Sequence, residues 1–190
     1  MTYFRIVDDA STPHWHLGNP VDAAGRAIDG LEALTATPLA CERLRLTQLT
    51  PGAAAEFTFG DLELPVVSAA VAAVLRAHAD EHQLQLIPAT VGRSRRKWFV
   101  LNPLLALDCL NRRRSKPRLW RKADGVDFKV GKIRALERLV IDPTRAGGAA
   151  LFRVAGWPVA LIASAVLVES LRETGSLGVR FLPVEAAPGQ

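Results

Sequence analysis

Two histidines at helical spacing are the first candidates for chemistry in this 190-residue sequence. His78, Glu81 and His82 fit the order H-x-x-E-H, which is the inverted zinc-protease motif. On a helix, this spacing places both imidazoles on one face and the carboxylate near a metal-bound water. A third ligand is also needed, and no downstream acid stands in a recognisable ligand context. We therefore expect a solvated helix end. A metal-dependent hydrolase using these residues is a weaker hypothesis than binding of a partner protein or of nucleic acid.

The sequence offers no nucleophile in a known catalytic setting. It lacks G-x-S-x-G and any glycine-rich phosphate loop. Its two cysteines, Cys41 and Cys109, are too few for a disulfide scaffold or a cysteine zinc cluster. Small free cysteines are usually buried. We expect a protein without catalysis, cofactor or metal.

Basic residues are concentrated in one part of the chain. Between Arg93 and Lys122 there are 11 basic residues and one acid, Asp108. The whole chain has 24 basic and 19 acidic residues, so the remainder carries a net charge of −5. Within the basic stretch, the candidate partner-binding residues are Arg95, Arg96, Lys97, Arg112, Arg113, Arg114, Arg118 and Trp120.

This basic stretch has three interpretations, which composition alone leaves open. A run of like charges is often a solvated loop. Arg and Trp are also favoured anchors of protein interfaces, which would suit an acidic partner protein. Aromatic residues interleaved with Arg and Lys are typical of single-strand nucleic-acid binding, although no nucleic-acid-binding motif occurs. If residues 93–97 and 112–122 are neighbouring loops, they form one patch.

The predicted elements are those of an α+β protein. Ser68 and Ser164 are N-cap residues for two predicted helices, at about 65–80 and 164–174. Short apolar runs predict strands that outnumber the helices and do not alternate strictly with them. We therefore predict a mixed or mainly antiparallel sheet. The expected divisions are one domain over 1–185, with a strand-rich or irregular part at 1–60, a main α+β part at 65–185, a charged loop at 111–128 and a frayed tail at 186–190.

Nothing in the sequence points to a membrane. The most apolar run, 149–171, contains Arg153, Pro158 and Glu169, whereas a bilayer span needs about 20 apolar residues. The first residues, MTYFRIVDDA, have neither the basic start nor the apolar core of a signal peptide. We therefore expect a cytoplasmic protein.

Arg153 lies in an apolar segment between Phe152 and Val154, which indicates burial. An unpaired buried charge is very costly, so we expect Arg153 to have an acidic partner. Asp108 is the candidate for that partner, in a pair that clamps the structure.

Short motifs follow one another along almost the whole chain in a recognisable order and spacing. These motifs are Tyr3-Phe4, Trp15-His16-Leu17-Gly18, Pro65-Val66-Val67-Ser68, Leu86-Ile87-Pro88-Ala89, Phe99-Val100-Leu101-Asn102, Asp108-Cys109-Leu110-Asn111, Leu139-Val140-Ile141-Asp142-Pro143, Leu151-Phe152-Arg153, Ile162-Ala163-Ser164 and Gly178-Val179-Arg180-Phe181-Leu182-Pro183-Val184. Through them the chain resembles the bacterial immunity-protein family numbered eleven in the polymorphic-toxin series, formerly a domain of unknown function.

The resemblance implies a small cytoplasmic protein that protects a cell from a secreted toxin by covering the toxin's active site. The partner would be encoded by a neighbouring gene, and nucleases delivered by type VI or contact-dependent systems are among the toxins implied. Members of the family often have an acid where this chain has Asn111, which begins a strongly basic run. The basic run argues against nucleic-acid mimicry by that surface and favours an acidic toxin surface, or contact through the acidic remainder.

Overall fold

The chain is built around two five-stranded β-sheets. The computed structural model describes residues 1–29, 32–175 and 177–187. Strands outnumber the three α-helices of these residues and pair mostly antiparallel, which confirms the predicted α+β class. No described helix is long and apolar enough to cross a membrane. In chain order the strands are β1 (Tyr3–Asp8), β2 (His16–Leu17), β3 (Leu44–Leu46), β4 (Gln48–Thr50), β5 (Phe57–Phe59), β6 (Pro65–Ser68), β7 (Leu84–Val91), β8 (Trp98–Pro103), β9 (Ala106–Leu107), β10 (Pro117–Leu119), β11 (Ile133–Leu136), β12 (Val140–Ile141), β13 (Leu151–Val154), β14 (Trp157–Ser164), β15 (Val179–Pro183) and β16 (Glu185–Ala186), and the helices are α1 (Ala69–His78), α2 (Arg112–Ser115) and α3 (Ala165–Arg172).

The two sheets have similar strand arrangements. Sheet A has the order β15–β1–β14–β13–β9, and sheet B has the order β3–β7–β8–β6–β5. Neighbours run antiparallel except for β9 with β13 and β3 with β7, which form a parallel edge in each sheet. The first strand, β1, lies between β14 and β15, so segments from both ends of the chain are tied into sheet A. The pairs β2–β4, β10–β11 and β12–β16 form small ribbons.

In each sheet one strand runs directly into a helix through a serine. β6 leads into α1 at Ser68, and β14 leads into α3 at Ser164. The hydroxyl of Ser68 accepts a hydrogen bond from the N–H of Val71 at 3.3 Å, and the hydroxyl of Ser164 accepts one from Leu167 at 3.3 Å. Both predicted N-caps are therefore confirmed.

The predicted bounds of both helices are too wide. Residues 65–68 form β6, whose side chains are buried and whose main chain pairs with β5 and β8. Adjacent valines suit a strand buried on both faces better than a helix start. Helix α1 therefore covers Ala69–His78, and α3 ends at Arg172, before the predicted residue 174.

Both sheets are buried on both faces. Leu161 of sheet A and Val67 of sheet B belong to one central apolar cluster, which also contains buried residues of α1 and α3. Their neighbours Ile162 and Val66 belong to two outer clusters, because successive residues of a strand point to opposite faces. Residues before β5 cover the outer face of sheet B. Residues 108–149, here called the covering segment, cover the outer face of sheet A.

Two regions predicted to be irregular are ordered. The predicted loop at 111–128 contains α2, β10 and two short 3₁₀ turns. The buried hydroxyl of Ser115 donates to the carbonyl of Val140 and accepts from its N–H, both at 3.1 Å, which ties α2 to β12. In the predicted frayed tail, Ala186 belongs to β16, and Ala187 donates to the carbonyl of Ile141 at 2.9 Å. Residues 188–190 lie outside the described residues.

Arg153 is buried as predicted, but its predicted partner is wrong. Asp108 lies 3.3 Å from Arg145 in an exposed ion pair. Arg153 is 0% exposed and donates through Nη1 to the carbonyl of Pro158 at 2.6 Å. Its Nε and Nη2 are buried without hydrogen-bond partners. Burial lowers the pKa of Arg153 to about 10, so the side chain is still charged at neutral pH.

We expect Arg153→Met to leave the free energy of unfolding unchanged or to raise it. Methionine fills a similar elongated volume and removes a buried charge with two unsatisfied donors. As a control, Arg153→Ala leaves a cavity and should lower the free energy of unfolding by about 2–5 kcal/mol. Urea denaturation of both variants would measure these changes. An equal fall in the free energy of unfolding of the two variants would show that the charge itself stabilises the fold.

Candidate partner-binding surface

The inverted zinc-protease motif does not have the geometry that it needs. Helix α1 ends at His78, and His82 lies in the turn that follows, so the two imidazoles do not share a helix face. The ring Nε2 of His78 lies 2.9 Å from the hydroxyl of Ser170 in α3. Within residues 1–29, 32–175 and 177–187, no group of three or more His, Cys, Asp or Glu side chains could hold a metal ion. The metal-dependent hydrolase hypothesis is therefore left without structural support.

The two cysteines are poor nucleophiles. Cys109 is 0% exposed, and burial raises the pKa of its thiol to about 11. Cys41 is half-buried, and burial also raises its pKa. The thiolate is the reactive form of cysteine, so neither position is activated for catalysis.

The eight predicted partner-binding residues fall into two groups on different sheets. Residues 95–97 lie in the turn that joins β7 to β8 of sheet B, whereas the other five lie in the covering segment over sheet A. Arg96 has a local structural role, because it forms an ion pair with Glu56 and lies 4.9 Å from the ring centroid of Trp98. Arg95 and Lys97 are exposed.

Helix α2 uses part of its charge to hold the covering segment in place. The side chain of Asn111 accepts a hydrogen bond from the N–H of Arg114 at 3.1 Å and caps the helix. Arg114 lies 3.0 Å from Glu185 of β16, and Arg138 lies 3.4 Å from the same carboxylate. Arg138 also donates through Nε to the carbonyl of Arg114 at 3.0 Å. This network links α2 to the C-terminal strand, while Arg112 and Arg113 are exposed beside it.

Beyond α2, the covering segment forms an open groove of about 890 Å³. Strand β10 pairs antiparallel with β11, and Trp120 extends the ribbon by hydrogen bonds with the main chain of Lys132 and Gly131, at 2.9 and 3.0 Å. Two exposed 3₁₀ turns lie between the strands. The groove is lined by Arg118, Leu119, Trp120, Arg121, Val130 and Arg134. Asp124 is the one acidic residue among the lining residues that the structure describes.

Two cations lie over the ring of Trp120. The guanidinium carbon of Arg134 is 4.7 Å from the ring centroid, and the ammonium of Lys129 is 5.2 Å from it. Asp124 fixes Arg134 through a 2.6 Å ion pair and accepts the N–H of Arg121 at 2.8 Å. This N–H and then the charge of Arg134 hold the pKa of Asp124 below its usual value. The acid therefore remains ionised at neutral pH and orders the basic groove.

Apolar side chains are exposed within this basic surface. Phe128 is 60% exposed, Val130 is 46% exposed and Leu119 is 44% exposed. Lys129 and Lys132 lie 5.5 and 6.0 Å from the ring centroid of Phe128. We call residues 117–134 the groove surface. Leu119 and Val130 line one groove, and Phe128 shares the cation of Lys129 with Trp120, so these apolar side chains lie close together, as at interaction sites.

Sequence reasoning found Arg118 and Trp120 but missed several residues of the groove surface. The basic stretch predicted from the sequence ends at Lys122, whereas the basic region continues to Arg138. Residues 111–138 contain 11 basic and three acidic residues. The alternation of apolar and basic residues from Phe128 to Lys132 was the available signal. The residues missed are Leu119, Arg121, Phe128, Lys129, Val130, Lys132 and Arg134.

No family model matches the chain, and no curated protein matches it. The resemblance to the immunity-protein family therefore stays a prediction.

We expect a thiol reagent to distinguish the two cysteines. In the native protein at mildly alkaline pH, Cys41 should react and Cys109 should be protected, because only Cys41 is accessible. Absorbance of the released chromophore would give the number of reactive thiols with and without denaturant. Rapid labelling of native Cys41→Ser protein would show that Cys109 is accessible, contrary to the described core.

Proposed function

We propose that this protein is an immunity protein, which binds a cognate secreted toxin and neutralises it by covering the toxin's active site. It acts by association and not by catalysis. Its place of action is the cytoplasm, where a toxin with an intracellular target, such as a nuclease, would meet its substrate. The toxin is the product of a neighbouring gene.

The observation that carries this proposal is the combination of exposed apolar and basic side chains on the groove surface. Phe128, Val130 and Leu119 expose apolar area that packing inside the chain does not use. Trp120 and the arginines of the groove are residue types that dominate protein interfaces. A protein partner can cover the apolar side chains and pair with the cations at the same time.

The net charge of this region points to an acidic contact surface on the toxin. Residues 111–138 contain 11 basic residues against three acids. Complementary charge raises the rate of association and excludes partners of the same sign. An immunity protein with this surface would not imitate nucleic acid but would bind an acidic face beside or across the toxin's catalytic cleft.

We expect the double reversal Arg118→Glu/Arg121→Glu to abolish protection when the toxin is co-expressed. Both side chains are exposed, so the melting temperature should change little. Association measured with the purified toxin should be at least about tenfold slower, because the reversal removes electrostatic steering.

The matched control is Arg95→Glu/Lys97→Glu, which makes the same change of charge in the turn of sheet B. This variant should protect as well as the wild type. Loss of protection in the control alone would place the contact on sheet B. Full protection by both variants would contradict toxin binding through the groove surface and through the turn of sheet B.

A further inference from the structure

We infer that the groove surface recognises an acidic protein segment in which carboxylates are interspersed with apolar side chains. This inference rests on the proposed function, and it names the chemistry of the toxin segment that the groove would bind. Three features of the groove carry it: exposed guanidinium groups, exposed apolar side chains and aromatic rings that already hold cations.

The guanidinium groups define the anionic part of the ligand. Three arginines and one acid are among the described lining residues. Asp124 is engaged by Arg134, whereas Arg118 and Arg121 are exposed and form no salt bridge among the described residues. A guanidinium presents a planar fork of donors that matches a carboxylate with two parallel hydrogen bonds. The groove therefore has two positions for carboxylates of a partner.

The apolar side chains define the rest of the ligand. Leu119 and Val130 line the same groove and are 44% and 46% exposed, and Phe128 beside them is 60% exposed. Covering this area removes apolar surface from water, which favours binding. Leucine, valine or phenylalanine side chains of a partner can provide that cover, whereas a phosphate backbone cannot.

The aromatic rings argue for a protein segment over a single-stranded nucleic acid. Single-strand binders stack bases on free aromatic faces. Here Trp120 has cations at 4.7 and 5.2 Å from its ring centroid, and Phe128 has cations at 5.5 and 6.0 Å. A base could stack on an occupied face only by displacing a cation. The rings thus act to hold Lys129 and Arg134 in fixed positions, which favours recognition of discrete carboxylates.

The test uses three fluorescent probes of equal charge with the full-length protein. The first is a short peptide in which glutamates are interspersed with leucines, the second has serine in place of each leucine, and the third is an oligothymidylate. Anisotropy titrations at physiological salt would give the three dissociation constants. We expect the Glu/Leu peptide to bind at least about tenfold more tightly than either other probe.

Two pairs of substitutions separate the anionic and apolar parts of the inference. Arg118→Glu/Arg121→Glu should weaken binding of both peptides by about tenfold or more, and Arg95→Glu/Lys97→Glu should change neither. Leu119→Ser/Val130→Ser should weaken binding of the Glu/Leu peptide and leave the Glu/Ser peptide unchanged. All six residues are exposed, and circular dichroism would confirm that each variant is folded.

Each alternative result overturns the inference in a definite way. Equal affinity for the two peptides would mean that the groove senses charge alone. Tighter binding of the oligothymidylate, with affinity that falls steeply with salt, would identify a nucleic-acid surface. The toxin is absent from this assay, so failure of the co-expression experiment with selective peptide binding would overturn the proposed function and leave this inference standing.

Discussion

Burial of both faces of both sheets is the constraint on which the rest of the structure depends. Helices α1 and α3 meet the inner faces in one central cluster, so each outer face requires a separate cover. For sheet A that cover is the covering segment, which contributes Cys109, Ile133 and Ile141 to the core below. The groove surface is the opposite side of this cover. The groove surface lies where it does because its segment must cover sheet A. The side chains that it exposes are not needed for that packing and are available to bind a partner.

A few acids hold the basic side chains of the covering segment in place. Asp124 holds Arg134 over Trp120, and Glu185 lies within 3.4 Å of both Arg114 and Arg138. Exposed ion pairs of this kind add little to global stability. Their effect is to give the arginine and lysine side chains defined positions. A surface preorganised in this way loses less side-chain freedom when a partner binds.

Local patterns in the sequence were sufficient for the elements that local chemistry decides. Ser68 and Ser164 were predicted as helix caps because a serine hydroxyl can satisfy a free N–H in the first turn. The strand at 65–68 was missed because its pairing with β8 involves residues far away in the sequence. The predicted partner of Arg153 is wrong for a different reason: the carbonyl of Pro158, five residues further along the chain, accepts its hydrogen bond in place of an acid. The site was predicted in part, since charge counting finds Arg118 but not the distant contacts that bring Lys129 and Arg134 to Trp120.

In our proposal, the groove surface is the face that meets the toxin. Hydrogen–deuterium exchange of this protein, alone and in complex with the toxin encoded beside it, tests this most directly. Binding should slow exchange across residues 117–134 more than elsewhere, because this segment becomes covered. Unchanged exchange there, with protection confined to the turn at 93–97 or to the acidic remainder of the chain, would contradict it.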